Sequence, residues 1–259
     1  MKQLLLIVMI LSTSLLFSKT ITKNRCQNLK GNYIWSSGEC IQYAFYPGEK
    51  KDTLIVTIHG AWKEGADTLS HYKLFAENLN METDLSTIAI ALPGYSGSSA
   101  NHIQALTHNK NALHTAATKK YIDFLATLLK DLKKKFNAKH LIVVAHSAGA
   151  LTTAAILGYK PHLIQIALLA GGRYDIHKID NDKTLLSATD LIDKIPKETK
   201  IILVYGTKDT ISNPTVTKEF YKLAKSKDLN VTLIEIKDAP HLDLDMQDKS
   251  IEALKKMIP

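Results

Sequence analysis

Three residues whose side chains could share one nucleophilic reaction, Ser147, Asp209 and His241, each follow an apolar stretch of the chain. These stretches are rich in β-branched residues and have the length of strands buried on both faces of a parallel sheet. They are Leu141–Val144, Lys200–Tyr205 and Asn230–Ile236. Functional residues gather at the carboxyl ends of parallel strands. The pattern therefore predicts that the serine, the aspartate and the histidine meet at one edge of a sheet.

The three residue types suit acyl transfer. A serine hydroxyl is a weak nucleophile until a neighbouring base accepts its proton. A neutral histidine can be that base because its ordinary pKa lies near neutrality. A carboxylate behind the imidazole fixes its tautomer and stabilises the imidazolium. We therefore expect Ser147 as nucleophile, His241 as base and Asp209 as the orienting acid.

The serine lies where a predicted strand becomes a predicted helix, Ala148–Leu157, without an intervening loop. Such a sharp turn holds its apex residue in a strained conformation with the side chain clear of the backbone. Small neighbours make the turn possible, and Ala145, Ala148 and Gly149 supply them. On these residues alone, a small-residue turn without catalytic function is the alternative interpretation.

Residues 145–149 read AHSAG and resemble the G-x-S-x-G nucleophile elbow of the α/β-hydrolase family, with Ala145 in place of the first glycine. The chain order Ser147, Asp209, His241 is also the order of that family. The resemblance extends from Thr53 to the C-terminus. It implies an α/β-hydrolase fold and a serine hydrolase activity.

A second motif resembles the oxyanion loop of the same family. His59 and Gly60 directly follow a predicted buried strand, Thr53–Ile58. The resemblance implies that a backbone N–H just after this glycine faces the developing negative charge. The donors would be Ala61 and Ala148, with His59 ordering the loop rather than transferring protons.

Other acids and bases compete for these roles. Asp175 follows the preceding strand and is a rival for the acid, while Asp209 could instead be a turn or cap residue. His146 adjoins the serine, but we expect it to pack or to face the pocket, because adjacent residues at the turn diverge. Three further aspartates lie near His241 in sequence, which does not place a carboxylate behind its ring. They are Asp238, Asp243 and Asp245.

Buried strands alternate with helices along most of the chain. This order predicts an α/β fold with a doubly wound, mostly parallel sheet, helices on both faces and no large cap domain. Further strands are expected at Thr53–Ile58, Ser86–Leu92 and Leu163–Leu169, and helices at Ser70–Leu79, Thr118–Phe136, Asn213–Ser226 and Ser250–Met257. One more helix, Thr184–Ile195, is expected within the excursion at residues 173–199. An irregular lead-in, Thr20–Leu29, and a hairpin of Tyr33–Trp35 with Ile41–Tyr46 are expected ahead of the core.

Residues 1–18 have the pattern of a secretory signal peptide, with Lys2 before an apolar run, Leu4–Leu11, and a more polar end. The apolar run is short for a membrane span. We expect an exported chain, periplasmic or secreted, without stable membrane insertion after leader removal. An uncleaved N-terminal anchor is the alternative. Residues 19–52 would form the lead-in and hairpin, and residues 53–259 the catalytic core, as one domain.

The two cysteines, Cys26 and Cys40, are an even count in a chain with a leader. Exported proteins form disulfides in oxidising compartments. We expect these two residues to be bonded, with two free thiols as the alternative.

The composition argues against other classes of function. The formal charge is +8, but the lysines are dispersed without interleaved aromatic residues, which is typical of solvated helix faces rather than of a nucleic-acid interface. His102, His108 and His114 are six residues apart and do not share a helical face, so they are expected at the rim or surface rather than at a metal. We expect no cofactor and no metal.

Taken together, the residues predict an exported serine hydrolase that cleaves small or short acyl esters through an acyl-enzyme on Ser147. A peptidase or amidase of the same fold is the first alternative, because ester and amide cleavage share the triad. A non-catalytic binding protein on a hydrolase fold is the second.

Overall fold

One sheet carries the residues singled out above. The computed structural model describes residues 20–107 and 111–258, so the predicted leader and His108 lie outside the described residues. The strands are β1 (Tyr33–Ser36), β2 (Glu39–Tyr46), β3 (Lys50–Ile58), β4 (Leu85–Ile90), β5 (His140–His146), β6 (Ile166–Ala170), β7 (Lys200–Gly206) and β8 (Val231–Ile236). The helices are α1 (Lys23–Gln27), α2 (Thr68–Thr83), α3 (Ala112–Ala117), α4 (Lys119–Lys135), α5 (Ala148–Tyr159), α6 (Pro214–Ser226) and α7 (Asp248–Met257).

The described strands pair in the order β1-β2-β4-β3-β5-β6-β7-β8. Strands β3 to β8 are all parallel to one another. Strand β1 pairs antiparallel with β2, and β2 pairs antiparallel with β4. The sheet is therefore mostly parallel, as predicted. Strands β3 to β6 are buried along most of their length, which is why they read as continuous apolar runs.

The helices cover both faces of the sheet. The chain moves from β3 to β4 in one direction and from β5 to β8 in the other. Because crossovers between parallel strands are right-handed, a reversal of direction moves the helices to the opposite face. The contacts agree, since α2 packs with α7, and α5 packs with α3 and α4. The doubly wound fold predicted from the sequence is confirmed.

Helix α4 illustrates how the sequence sets an element. The Thr118 hydroxyl accepts the Tyr121 N–H and caps its first turn. Its apolar residues recur at helical spacing and are buried against the sheet, while lysines occupy its last turn. The lysine-rich stretch at residues 130–135 is thus largely a solvated helix face, as the dispersed charge predicted.

The expected helix Thr184–Ile195 is wrong. The structure has turns there, with 3₁₀ turns at Ile176–Lys178 and Ile192–Lys194. Backbone groups in the first half of this segment bond to other parts of the chain: the Leu186 N–H donates to the Ala117 carbonyl and the Thr189 N–H to the Tyr174 carbonyl. A side chain competes as well, because the Ser187 hydroxyl bonds the backbone of the residues around Tyr174.

The N-terminal region is crosslinked within itself and is hydrogen-bonded to the core. A disulfide joins Cys26, within a short helix that the lead-in was not expected to contain, to Cys40 on the hairpin. The buried carboxylate of Glu39 accepts the backbone N–H groups of residues 101, 102 and 103. These contacts fasten the loop after β4 to the predicted hairpin, which the structure confirms. In the described part of the chain no helix has the length and apolarity needed to cross a membrane.

Candidate active site

Ser147 forms the turn between β5 and α5. Its backbone has φ 54° and ψ −121°, a region that residues with side chains rarely adopt. The turn is tight because α5 presses on the end of β3: a Cβ atom at Gly149 would stand 2.6 Å from the His59 carbonyl oxygen. Ala145, in place of the first glycine of the elbow pattern, is fully buried. The local sequence therefore produces the strained apex that its small residues predicted.

The structure brings the three predicted side chains together. Ser147 Oγ lies 2.9 Å from His241 Nε2, and His241 Nδ1 lies 2.8 Å from Asp209 Oδ2. The Asp209 side chain has 0% exposure and that of His241 has 12%. With Nδ1–H donating to the carboxylate, Nε2 is free to accept the serine proton. This hydrogen-bonded chain has the arrangement that activates a serine.

Asp209 is held from both sides. Its Oδ1 accepts the backbone N–H groups of Ile211 and Ser212, at 2.9 and 2.7 Å, while Oδ2 faces the imidazole. The rival, Asp175, stands at the start of the 3₁₀ turn Ile176–Lys178. The structure thus places Asp209, rather than Asp175, behind His241.

His146 packs beside the pocket, as expected. Its Nε2–H donates to the His241 carbonyl at 2.8 Å, and the two imidazole rings are 4.8 Å apart. It supports the loop that bears His241 and does not bond the serine hydroxyl.

His59 is fully buried and organises the loop at residues 59–62. Its Nε2 accepts the Leu92 N–H, so the proton is on Nδ1, which donates to the Gly60 carbonyl at 2.7 Å. Burial lowers the pKa of His59 to about 4, which keeps the ring neutral. In a trans peptide the N–H points opposite to the carbonyl. The Ala61 N–H is therefore turned away from the His59 ring.

The two expected oxyanion donors both line the cavity that contains Ser147. Ala148 is the first residue of α5, where backbone N–H groups have no partner within the helix. The helix dipole adds partial positive charge at the same point. Ala61 and Ala148 thus border the same space as Ser147.

That space is a cavity of about 660 Å³ with a mostly apolar lining. Ser147 and His241 are among its lining residues, and the other lining residues come mainly from four loops and from α3. The apolar lining residues are Ala61, Trp62, Ala112, Leu113, Ala148, Ile176, Ile179, Ile211 and Leu242. A volume of this size suits a small organic ligand.

Charged side chains border the same cavity. His114 Nδ1 lies 2.8 Å from Asp180 Oδ2, which joins α3 to the loop after β6. Lys63 and Arg173 also line the cavity, and neither is in an ion pair within the described residues. Within the described residues, no group of three or more His, Cys, Asp or Glu side chains is arranged to hold a metal ion.

The comparisons with known proteins agree with this geometry. A model of the serine hydrolase family matches residues 89–258, more than half of the chain. The chain belongs to the serine hydrolase family. The match includes Ser147, Asp209 and His241, and the loop at residues 59–62 precedes it. A search of curated protein sequences gives no match.

Several solved structures share the fold of this serine hydrolase. The esterase Pf2001 of Pyrococcus furiosus aligns with a TM-score of 0.67 and 16% identity, over 88% of this chain and 90% of its own. Est1E of Butyrivibrio proteoclasticus, solved with ferulic acid, aligns with a TM-score of 0.64 and 16% identity, over 87% of this chain and 95% of its own. A meta-cleavage product hydrolase of Pseudomonas fluorescens aligns with a TM-score of 0.64 and 11% identity, over 88% of this chain and 97% of its own. At these identities the likeness shows the α/β-hydrolase fold.

Sequence reasoning missed most of the pocket walls of this hydrolase. Leu113, Ile211 and Leu242 lie in turns or a short helix without periodic patterning. Arg173 was missed too, although a signal was present: it directly follows the glycines at the carboxyl end of β6, and arginine is rare in this chain.

Proposed function

We propose that the protein is an exported serine hydrolase that cleaves carboxylic esters through an acyl-enzyme on Ser147. The observation that supports the proposal is the hydrogen-bonded chain from Ser147 through His241 to Asp209, of which Ser147 and His241 line a mostly apolar cavity.

The proposed reaction has two halves. Ser147 Oγ attacks the ester carbonyl while His241 Nε2 accepts the hydroxyl proton, and Asp209 stabilises the imidazolium. His241 then gives that proton to the leaving alcohol oxygen, which releases the alcohol. A water molecule attacks the acyl-enzyme with His241 again as base, and the acid leaves with Ser147 restored.

The backbone N–H groups of Ala61 and Ala148 would hold the oxyanion. Both border the cavity, and the hydrogen bond from His59 to the Gly60 carbonyl orients the Ala61 amide. Donors fixed before the reaction stabilise the developing charge without reorganisation, and one such donor contributes about 3 kcal/mol to lowering the barrier.

The cavity supports an ester rather than a peptide as substrate. Peptide recognition commonly uses rows of backbone donors and acceptors, as in strand addition. The lining here is mostly apolar, which suits a small or medium acyl ester. The structural neighbour from Pyrococcus furiosus is an esterase by name.

Export is supported by the leader pattern and by the disulfide between Cys26 and Cys40. The intact mass of the protein isolated from its native compartment tests this part. A mass without residues 1–18 and with bonded cysteines is expected. Retention of the leader on a membrane-bound form would favour the anchored alternative.

A panel of chromogenic esters and aminoacyl amides, offered to the mature protein and to Ser147→Ala, tests the activity. Ester hydrolysis that disappears in the variant is the expected result. Faster cleavage of the amides would make the protein a peptidase or amidase. Equal and negligible rates for both proteins on every substrate would make it a binding protein.

A further inference from the structure

Arginine is rare in this chain and one arginine is in the pocket. Of 33 lysine and arginine residues only Arg25 and Arg173 are arginines, and Arg25 belongs to the exposed N-terminal helix. Arginine differs from lysine in presenting several donors in a planar fork that matches a carboxylate. A chain that otherwise uses lysine for its positive charge thus has an arginine at the cavity that contains Ser147.

The Arg173 head group is held in place by the loop of the catalytic acid. Its Nη2 donates to the Ile211 carbonyl. The Ile211 N–H in turn donates to Asp209 Oδ1. These two hydrogen bonds link the guanidinium to Asp209 and, through it, to His241. One of its five N–H groups is used in this contact, and the others remain available for a ligand.

The local charge balance favours an anion. The only carboxylate that lines the described cavity wall, Asp180, is paired with His114. Arg173 is half-buried and lacks an ion-pair partner within the described residues. The same cavity wall includes the apolar side chains of Ile176, Ile179 and Ile211. A cation in such surroundings interacts with an anion more strongly than it would in open solvent.

We infer that Arg173 is a specificity residue that binds a carboxylate group carried by the substrate, in addition to the ester carbonyl at Ser147. The substrate class is then an apolar ester that bears an anionic group, on its acyl or its alcohol portion. This inference rests on the proposed ester hydrolysis and narrows it.

Lys63 is the other cation at the cavity, but it is exposed. A lysine ammonium is strongly hydrated and mobile, and exposed charges are screened by salt. The fixed, bidentate fork of Arg173 is therefore the anchor, and Lys63 adds a weaker attraction toward the same ligand.

Two pairs of esters test the inference. The mono-4-nitrophenyl ester of suberic acid has a free carboxylate on the acyl side. Its neutral twin, methyl 4-nitrophenyl suberate, has a methyl ester in place of that carboxylate. The octanoyl ester of 4-hydroxyphenylacetic acid and that of its methyl ester differ in the same way on the alcohol side. We expect a higher kcat/KM for the anionic member of one pair.

Three variants separate binding from support of the loop. Arg173→Gln should lower kcat/KM for the preferred anionic ester about 10- to 100-fold, through KM, as expected for hydrogen bonds to a charged group. Its effect on the neutral twin should be much smaller. Lys63→Gln should have a small effect on the anionic ester. Lys134→Gln removes one positive charge at an exposed site in the last turn of α4, which does not line the cavity, and should change neither ester.

The outcomes are distinct. If Arg173→Gln lowers kcat equally for anionic and neutral esters, Arg173 only braces the loop at residues 209–212, and the inference is overturned while ester hydrolysis stands. The same conclusion follows if neither pair shows an anionic preference in the wild-type enzyme. If no ester is cleaved and Ser147 does not react with a fluorophosphonate, the proposed function itself fails, and this inference fails with it.

Discussion

Gly60 lies directly against Ser147: a Cβ atom added to the glycine would stand 2.7 Å from the serine Cβ and 3.3 Å from its Oγ. The loop that orients the Ala61 amide and the turn that bears the nucleophile are thus in contact. Any side chain at position 60 must displace one of them. The close approach gives a direct test of how strictly the site depends on the geometry of both.

Gly60→Ala should lower kcat on a reactive ester by about 10²- to 10³-fold, the range for loss of one oxyanion donor. The reason is that the added methyl displaces Ser147 or turns the Ala61 amide away. Gly65→Ala is the matched control: it lies nearby with open space around its Cβ position, but its φ of 76° is strained for alanine. It should lower the melting temperature and leave kcat unchanged. Wild-type kcat in Gly60→Ala would contradict this account.

Asp209→Asn should lower turnover about 10⁴-fold, the precedent for this change in a serine triad. The asparagine oxygen can still accept the N–H groups of Ile211 and Ser212, so the loop is retained. Its amide nitrogen, facing His241 Nδ1, favours the wrong tautomer of the imidazole. Asp175→Asn serves as the control and should lose little activity. With both variants shown to melt like the wild type, a crippled Asp175→Asn beside an active Asp209→Asn would mean that the acid is misassigned.

His59 should make folding stability sensitive to acid. Its folded-state pKa of about 4 lies below the ordinary value of 6.5, so the unfolded chain binds the extra proton first as pH falls. Stability from this residue is therefore present above pH 6.5 and is lost progressively toward pH 4. Between pH 7 and pH 5 the loss is about 2 kcal/mol.

The measurement is the free energy of unfolding in urea at both pH values, for the wild type and for His59→Asn. The asparagine amide can still donate to the Gly60 carbonyl but does not titrate. The wild type should lose about 2 kcal/mol more than the variant between pH 7 and pH 5. Equal losses in the two proteins would show that His59 is not held neutral by burial.

The disulfide should stabilise the fold without a part in chemistry. Cys26 and Cys40 are 14 residues apart, and a closed loop of this size contributes about 3 kcal/mol in the chain-entropy model. A Cys26→Ser, Cys40→Ser double variant should lose about that much unfolding free energy and keep its kcat. Reductant should lower the stability of the wild type and leave the double variant unchanged. A large loss of kcat in a still-folded double variant would instead place the N-terminal region in the active site.

The parts of the site that the sequence predicted are those set by short stretches of chain. Ser147 was identifiable because a strand, a turn of small residues and a helix follow one another within residues 141–157. Asp209 and His241 were identifiable because β7 and β8 are parallel neighbours, which brings the residues after them together. The choice over Asp175 followed from the same adjacency, since its loop begins one strand further from β8.

What the sequence did not predict depends on contacts between distant residues. Apolar residues recur at nearly helical spacing within residues 184–195. Backbone and side-chain groups of this segment nevertheless bond to α3 and to Tyr174. The Glu39 carboxylate meets amides more than 60 residues away. Arg173 reaches the Ile211 carbonyl across two loops. No local pattern encodes such pairings, so the elements were predictable while the pocket walls were not.

Reaction with a fluorophosphonate probe shows whether Ser147 is an activated nucleophile, because only an activated serine should be labelled. Intact-mass spectrometry should show one adduct on the mature protein, and peptide mapping should place it on Ser147. Ser147→Ala, with an unchanged melting temperature, should remain unlabelled. A folded wild-type protein that takes up no probe, or that is labelled equally in Ser147→Ala, would contradict the account.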